Sequence, residues 1–258
     1  MTNKPLKGLK ILVTRPQHQS QRLTQLIARA GGEAIVFPVI AIEAVPADLW
    51  QTRQLDNVDW LMFVSPNAVN GFCSGWQQSL PEHIRLAAVG GKGTAASMRQ
   101  AGLRVDLQPL SSGSEGLLQL PEMQNMMGKH VVIVRGDGGR ELLADTLAAR
   151  GATISYMEVY RRALPVYDDE VKLRACQADM LMCTSMAGLD NLHQLLSGTW
   201  TTQLAKPLVV FSERIKQHAH HMGFQQVSVT ADFSDDDVVT TLIEMEKQHG
   251  KQREETAD

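Results

Sequence analysis

Hydroxyl and amide side chains follow several apolar runs of this sequence, at points where strands are expected to end and helices to begin. Ser65 and Asn67 come after one such run, and Thr184 and Ser185 come after another. A hydroxyl at such a junction most often caps the helix by accepting a hydrogen bond from its first turn. The free amides of a helix start also bind carboxylates or phosphates. Capping is favoured for either serine alone, and the recurrence of the junction adds weight to anion binding.

Two further junctions each place a cation and a hydroxyl beside a strand end. Gly90 is closely followed by Lys92 and Thr94, and Ser212 is closely followed by Arg214. Amides, a hydroxyl and a basic side chain together suit an anionic ligand. These junctions therefore indicate the same chemistry as the first two.

The glycine-rich segment 136–140 follows an apolar run that ends at Arg135, so a nucleotide loop has to be considered. Neither G-x-x-x-x-G-K-[ST] nor G-x-G-x-x-G is present. Two interpretations stay open. The segment is either a tight turn that needs only the conformational freedom of glycine, or an anion contact made by Gly136, its neighbouring amides and Arg140. The histidines of segment 218–221 lack further ligands at compatible positions, so we expect no metal.

Tyr160 lies in an extended segment, 153–165, that is long for an ordinary internal strand. Strand alternation would place Tyr156, Glu158 and Tyr160 on one face. One interpretation of Tyr160 is an aromatic side chain packed over a hinge. The other is a phenol at the mouth of a cleft between two domains, acting as a weak acid.

The elements that must position these residues occur twice. The run ending at Arg15 matches the run ending at Arg135, and the run ending at Ser65 matches the run ending at Ser185, both at an offset of 120 residues. Later matches drift by two residues. The period is far too long for a solenoid. The repeat therefore predicts two similar α/β units, whose ligand site lies where the carboxyl ends of the strands face each other.

Short apolar runs alternate with helical patterns, which predicts parallel strands with crossover helices. We expect an α/β protein with two similar parallel-sheet domains, one of them discontinuous, joined by a two-stranded linker. The discontinuous domain would comprise residues 1–36 and 166–258, and the inserted domain residues 42–154. Segments 37–41 and 155–165 would be the crossings.

Composition excludes several classes of protein. A net charge of −3 argues against nucleic-acid or membrane-surface binding, which needs a large basic field. The three cysteines show no C-x-x-C spacing, which suggests neither a disulfide framework nor a zinc site. The sequence shows neither an apolar leader segment nor a run of 18 apolar residues. We expect a cytoplasmic protein with no membrane and no nucleic-acid partner.

Taken in order, these motifs resemble the uroporphyrinogen-III synthase family over nearly the whole chain. The motifs that carry the resemblance are Ile11–Pro16, Phe37-Pro38, Ser65–Val69, Ala88–Gly90 with Thr94, Val134–Leu142, Val159–Arg161, Thr184-Ser185 and Val210–Arg214. The family often has glycine, two residues and then threonine, whereas segment 90–94 either contains an extra glycine or shifts the aligned glycine to Gly91. The resemblance implies two α/β domains joined by a two-stranded ladder.

The resemblance also implies a cofactor-free lyase that converts hydroxymethylbilane into uroporphyrinogen III in heme biosynthesis. Water leaves the terminal hydroxymethyl group, and the ring closes with inversion of the last pyrrole. Tyr160 is the expected general acid, since a phenol carries its proton at neutral pH. The substrate has eight carboxylates, and the residues expected to bind it are Thr14, Arg15, Ser65, Asn67, Gly90, Lys92, Thr94, Arg135, Gly136, Arg140, Thr184, Ser185, Ser212 and Arg214.

A rival class of protein stays open from the residues alone. A hinged two-domain binder without catalytic activity would close on a small anionic ligand with the same strand ends. On the enzyme hypothesis we expect a monomer, and transient contact with the preceding enzyme of the pathway is left open.

Overall fold

The computed structural model describes residues 4–51, 55–111, 113–139 and 141–255. The chain divides into two compact units. Unit 1 consists of Met1–Ala41 and Leu164–Asp258, and unit 2 consists of Ile42–Ala163. Among the described residues, no helix is both long and apolar enough to cross a membrane.

The strands and helices alternate along most of the chain. The strands are β1 Lys10–Val13, β2 Glu33–Val36, β3 Ala41–Ala44, β4 Trp60–Phe63, β5 Arg85–Ala88, β6 His130–Gly136, β7 Thr153–Ala163, β8 Met180–Cys183, β9 Leu208–Val210 and β10 Val227–Val229. The helices are α1 Gln17–Arg29, α2 Pro66–Gly75, α3 Lys92–Gln100, α4 Ser114–Leu118, α5 Leu142–Ala149, α6 Asp169–Cys176, α7 Met186–Leu195, α8 Trp200–Leu204, α9 Glu213–His221 and α10 Asp235–Glu255.

Local sequence explains why the first elements form. The strand β1 is a run of apolar residues whose last three side chains are buried. On α1, Leu23 and Ile27 are spaced four residues apart and are both fully buried, which is the core-facing stripe of a helix. The chain after α1 reverses at Gly31, whose φ of 94° suits glycine and strains other residues. The predicted strand, helix and glycine stop are confirmed here.

Within the described residues each unit contains one five-stranded sheet. The strand orders are β10-β9-β8-β1-β2 in unit 1 and β5-β4-β6-β7-β3 in unit 2. The pairs β9·β8, β8·β1 and β1·β2 are parallel, and so are β5·β4, β4·β6 and β6·β7. Parallel strands need crossover connections, which the intervening helices supply. The α/β class and the parallel sheets predicted from the sequence are confirmed.

The two sheets share a common core of four strands. The order β9-β8-β1-β2 in unit 1 corresponds to β5-β4-β6-β7 in unit 2. The correspondence of β1 with β6 and of β8 with β4 is the one that the 120-residue repeat predicts. Each sheet buries apolar side chains on both faces; in unit 2, Phe63 packs on one face and Met62 on the other. Burial of both faces explains why these strands are apolar throughout rather than alternating.

The segment predicted as the second crossing differs from the sequence expectation. Residues 155–163 continue β7, which begins at Thr153, and Thr153–Glu158 pair with β6 along its length. The strand β3 lies beside β7 in the same sheet. The backbone of β7 is thus hydrogen-bonded within unit 2, which extends to Ala163 rather than to residue 154. The length of the segment is explained by one long sheet strand.

Aromatic packing in unit 2 generates a test of the fold. Phe72 is 2% exposed and lies within ring-contact distance of Phe63 and Trp76, with both centroids at 5.4 Å. We expect Phe72→Ala to lower the free energy of unfolding by about 3–5 kcal/mol, the usual cost of such a cavity. Phe233, which is 72% exposed, is the matched control. Phe233→Ala should cost less than about 1 kcal/mol in the same chemical denaturation measurement. Equal losses would contradict this view of the core.

Candidate active site

The carboxyl ends of the parallel strands gather polar side chains in each unit. Because parallel strands end at the same edge of a sheet, residues that follow them come close together. In unit 2 this edge carries Ser65 after β4, Gly90 after β5, and Arg135 and Gly136 at the end of β6. Tyr160 lies near the end of β7 beside them.

Ser65 caps α2, and its hydroxyl lies next to the phenol of Tyr160. The Ser65 Oγ accepts a hydrogen bond from the backbone N–H of Ala68 at 3.2 Å. The same oxygen lies 3.3 Å from the Tyr160 Oη. The predicted capping role of Ser65 is therefore confirmed, and the cap holds its hydroxyl within reach of the phenol.

Tyr160 is more enclosed than the sequence suggested, with 2% of its surface exposed. A register shift in the β6·β7 pair sets its position, because Arg135 lies opposite Glu158 while Gly136 lies opposite Tyr160. The shift leaves Val159 without an opposite residue on β6 and places Tyr160 in the core cluster of Val159. Tyr156 packs against the cluster on the other face of the sheet. The expectation that Tyr156 and Tyr160 share a face is thus wrong, and this β-bulge is the physical reason.

Gly136 provides the room for the Tyr160 ring. A Cβ on Gly136 would lie 2.5 Å from the ring atoms Cε2 and Cζ of Tyr160, closer than real Cβ contacts allow. The glycine at this position is thus required by a close approach rather than by an unusual φ. The two turn glycines that follow do adopt positive φ, with 67° at Gly138 and 139° at Gly139. The N–H of Asp137 donates to the carbonyl of Tyr160 at 2.8 Å, so this amide is used within the fold. Both interpretations of the segment stay open.

Arg135 is a shielded cation with an aromatic partner. Its side chain is 11% exposed, and its guanidinium carbon lies 4.0 Å from the centre of the Tyr156 ring. The guanidinium pairs with Glu141 at 2.9 Å and with Glu158 at 3.4 Å. The phenol of Tyr156 donates a hydrogen bond to the other oxygen of Glu141. Burial and the bond to Glu141 raise the pKa of Tyr156 to about 12, and the bonds from Tyr156 and Arg135 lower the pKa of Glu141.

A cavity of about 300 Å³ lies over this edge of unit 2. Arg135, Gly136, Tyr156, Tyr160 and Arg162 are among the residues that line it. Polar donors on apolar walls are typical of a ligand site. The structure thus brings together three of the residues predicted from the sequence, and adds Tyr156 and Arg162.

The residues that follow β5 are closely packed against their neighbours. A Cβ on Gly90 would lie 2.7 Å from the carbonyl oxygen of Val64 and 2.3 Å from the Thr94 Oγ1, so only glycine fits. Thr94 is fully buried, and its hydroxyl finds no hydrogen-bond partner within the part of the chain that the structure describes. Gly91 caps α3 with a φ of 72°. Gly90 is therefore the glycine packed against Thr94, and the extra Gly91 serves the helix start.

In unit 1, polar side chains at the corresponding edge of the sheet contact other groups of the same unit. Thr14 is 4% exposed and donates to the carbonyl of Met182 at 2.9 Å. Arg15, with 10% of its side chain exposed, pairs with Asp235 at 2.5 Å and lies 4.9 Å from the centre of the Phe211 ring. These two predicted binding residues thus have structural partners within unit 1.

The remaining predicted residues occupy helix starts and surface positions. Ser185 caps α7 by accepting from the N–H of Gly188 at 3.0 Å, and Ser212 caps α9 by accepting from that of Ile215 at 3.4 Å. The capping role predicted for Ser185 is confirmed, and Ser212 caps in the same way. Lys92 and Arg214 are exposed in the first turns of α3 and α9, and Asn67 and Thr184 are half-buried beside the caps of α2 and α7. Arg140 lies outside the described residues.

Sequence reasoning assigned no binding role to Glu141, Asp235 or Arg162, and interpreted Asp235 only as a charge at a helix start. For Glu141 and Asp235, the sequence contained one indication that an acidic partner was needed. Arg15 and Arg135 occupy equivalent strand ends of the repeat, and a shielded arginine needs a carboxylate or a similar partner. Nothing in the local pattern shows which acidic residue that partner is. In the part of the chain that the structure describes, no group of histidine, cysteine or acidic side chains has the arrangement of a metal site.

Fold and site together define a class: a duplicated α/β protein that presents helix starts, hydroxyls and arginines at the carboxyl ends of its strands. Comparisons with known proteins make the class specific. The family model described as uroporphyrinogen-III synthase HemD matches residues 21–240. The uroporphyrinogen-III synthase of Escherichia coli K12 is 33% identical over 92% of this chain and 100% of its own length. That of Proteus mirabilis is 34% identical over 74% of this chain and 100% of its own.

Solved structures agree at the level of the fold. The uroporphyrinogen-III synthetase of Helicobacter pylori 26695 superposes with a TM-score of 0.66 at 14% identity, covering 92% of this chain and 99% of that one. A mutant uroporphyrinogen III synthase of the extreme thermophile Thermus thermophilus gives 0.59 at 17% identity, covering 93% and 100%. On the family match and the sequence identities, the chain belongs to the uroporphyrinogen-III synthase family.

The close approach of Gly136 and Tyr160 gives a test of the site geometry. We expect Gly136→Ala to displace the phenol ring and to lower the free energy of unfolding by about 1–3 kcal/mol, the usual cost of overpacking. Gly198 has open space around its Cα and is the matched control. Gly198→Ala should change stability by less than about 0.5 kcal/mol in the same thermal unfolding assay. A Gly136→Ala protein as stable as the wild type would show that the ring moves aside freely.

Proposed function

We propose that this chain is a cofactor-free lyase that converts hydroxymethylbilane into uroporphyrinogen III. Its membership of the uroporphyrinogen-III synthase family carries the proposal. The cavity of unit 2 supports it by placing the Tyr160 phenol and the shielded guanidinium of Arg135 around one space, and the Ser65 hydroxyl lies 3.3 Å from that phenol. The reaction belongs to heme biosynthesis.

The chemical step needs an acid more than a base. The pyrrole nitrogen of the first ring pushes electrons toward the hydroxymethyl carbon, whose C–O bond breaks. Tyr160 gives its proton to the departing oxygen, which leaves as water. The exposed carbon is then attacked by the substituted α-carbon of the last pyrrole, which gives a spiro-pyrrolenine. The bond from that α-carbon to its original bridging methylene breaks, and the methylene rejoins the unsubstituted α-carbon of the same pyrrole, which closes the macrocycle with this ring inverted. A proton lost from this ring on closure restores the phenol, so the enzyme ends as it began.

The position of Tyr160 suits this role. Its ring is held against Gly136, and its hydroxyl is 3.3 Å from the Ser65 Oγ, which the α2 cap fixes in turn. A phenol held by packing on one side and by a hydrogen-bond partner on the other loses little orientational freedom when the substrate arrives. Ser65 is therefore the positioning residue for the acid.

Binding draws on many weak contacts rather than on a basic surface. The substrate has eight carboxylates, whereas the chain has a net charge of −3. Helix starts supply free N–H groups at α2, α3, α7 and α9, and Lys92 and Arg214 lie exposed in the first turns of α3 and α9. Such amides attract carboxylates without adding net charge. Thr14 and Arg15 would shape the strand ends of unit 1 from behind, and Thr94 those of unit 2, since all three are shielded from solvent.

Product analysis decides between this lyase and a hinged binder. Hydroxymethylbilane closes slowly by itself to the I isomer, without inversion. Incubation with the protein should therefore give the III isomer, resolved from the I isomer by chromatography. If only the I isomer formed, and only at the spontaneous rate, the chain would be a binding protein and not a lyase.

The same proposal includes the setting in which the chain works. We expect a cytoplasmic monomer that makes at most transient contact with the preceding enzyme of the pathway. The free thiols of Cys73, Cys176 and Cys183 suit a reducing compartment. Sedimentation of the pure protein measures the oligomeric state.

Removal of the Tyr160 hydroxyl tests the acid. Tyr160→Phe should keep the fold and slow turnover by roughly 10²–10⁴-fold, the usual scale of general acid catalysis. The residual enzymatic product should still be the III isomer, because ring inversion depends on how the whole site curls the substrate. Tyr167, whose phenol donates to the carbonyl of Pro38 at 2.8 Å, is the matched control. Tyr167→Phe should leave kcat within about twofold. A near-normal rate for Tyr160→Phe would reduce Tyr160 to a packing residue.

Single losses among the other hydroxyls should matter less. Ser65→Ala, Thr94→Ala and Ser185→Ala should each weaken kcat/KM by about two- to tenfold, because many groups share the eight carboxylates and one neutral hydrogen bond contributes about 0.5–1.5 kcal/mol. Steady-state kinetics with circular dichroism as the folding check measures this. Complete loss of activity in a folded variant would show that the hydroxyl is catalytic.

A further inference from the structure

The carboxylate of Glu141 is held by two donors that belong to the sheet. The guanidinium of Arg135, on β6, contacts one of its oxygens at 2.9 Å, and the phenol of Tyr156, on β7, donates to the other. Arg135 is further fixed by its stacking on the Tyr156 ring at 4.0 Å. The two donors therefore form a preorganised receptor for a planar carboxylate, whether or not Glu141 fills it.

Glu141 itself is not part of the sheet. It lies in the connection between β6 and α5, and its side chain is 47% exposed, whereas Arg135 is shielded and Tyr156 is half-buried. The receptor opens on the 300 Å³ cavity that Tyr160 also lines. A carboxylate that enters the cavity meets the same two donors, and the exposed position of Glu141 lets its own carboxylate turn to water.

The equivalent arginine–carboxylate pair in unit 1, Arg15 with Asp235, is one in which both partners are shielded. Asp235 is 14% exposed and sits in the first turn of α10, where it pairs with Arg15. The ring beside Arg15 is that of Phe211, which has no hydroxyl to donate to a carboxylate. The repeat thus gives two shielded arginines, one paired with a shielded aspartate and one paired with two part-exposed glutamates, of which Glu141 lies closer than Glu158.

We propose that Glu141 is a built-in competitor that occupies the carboxylate receptor of Arg135 and Tyr156 until a substrate carboxylate replaces it. This inference rests on the proposed function, since it assigns one of the eight substrate carboxylates to that receptor. The exchange replaces one carboxylate by another and keeps the buried guanidinium paired throughout. A group without a carboxylate at that position does not replace Glu141.

Binding of uroporphyrin III, a stable octacarboxylate, to the full chain tests the exchange. Glu141→Gln keeps the size of the side chain and removes its charge. We expect its Kd for uroporphyrin to fall by about two- to fivefold, the scale on which a part-exposed ion pair competes. The KM for hydroxymethylbilane should fall in parallel, with kcat within about twofold. An unchanged or higher Kd would overturn the proposal.

Two comparisons separate this effect from a general gain of positive charge. Glu43→Gln makes the same charge change in the same unit, where Glu43 pairs with the exposed Arg161 at 2.8 Å. It should leave the Kd unchanged, and a fall equal to that of Glu141→Gln would overturn the proposal. In a protein that already carries Arg135→Gln, Glu141→Gln should no longer lower the Kd for uroporphyrin, because the receptor then lacks its cation. A gain that persists in the double variant would contradict the mechanism.

The phenol of Tyr156 reports on the receptor without any ligand. Its pKa of about 12 is raised by burial and by the bond to Glu141, so Glu141→Gln should move the absorbance titration of this tyrosine to lower pH. Tyr156→Phe identifies the signal. An unmoved titration would show that Glu141 does not occupy the receptor. Glu141→Ala repeats the series should the glutamine variant unfold. Failure of the wild type to form uroporphyrinogen III would refute the proposed function instead.

Discussion

The register shift between β6 and β7 is the constraint on which the site in unit 2 depends. One extra residue on β7, Val159, separates the part of the strand that presents Tyr156 from the part that presents Tyr160. Without it both rings would stand on one face of the sheet. With it, Tyr156 covers Arg135 from one side, while Tyr160 turns over Gly136 toward Ser65. Bulges commonly re-aim side chains next to active sites, and this one places the proposed acid and the proposed carboxylate receptor at one strand end.

Each unit of the duplicated fold must compensate the charge of one shielded arginine, and the two units do so with different carboxylates. A guanidinium removed from water needs a compensating charge, and both units stack it on an aromatic ring as well. Unit 1 takes the charge from a shielded aspartate on α10, whereas unit 2 takes it from two part-exposed glutamates, Glu158 on β7 and Glu141 in the connection to α5. On the proposal above, the second arrangement leaves the cation available to a ligand.

Local patterns were sufficient to predict the elements and their caps. Strands, crossover helices and the serines that cap α2 and α7 follow from apolar runs and junction residues, and the repeat at 120 residues correctly pairs β1 with β6 and β8 with β4. The register shift could not be predicted, because a bulge leaves no mark in the alternation of β7. The partner of Arg15 could not be predicted either, since Asp235 lies 220 residues further along the chain. Such contacts depend on how distant elements pack, which no local pattern records.

The insertion of unit 2 within unit 1 has a consequence for the order of folding during synthesis. All five strands of unit 2 have been made by Ala163, whereas β1 must wait for β8, its neighbour in unit 1, from Met180 onward. Folded unit 2 brings Val45 to Val159 through a backbone hydrogen bond at 3.1 Å. The loop that β1 and β8 must close is thereby shortened from about 170 residues to about 55, which saves about 1 kcal/mol of chain entropy. Folding of the inserted unit therefore brings β1 and β8 closer along the chain, and β1, which can pair with β2 as soon as both are made, gains its second neighbour only when β8 is synthesised.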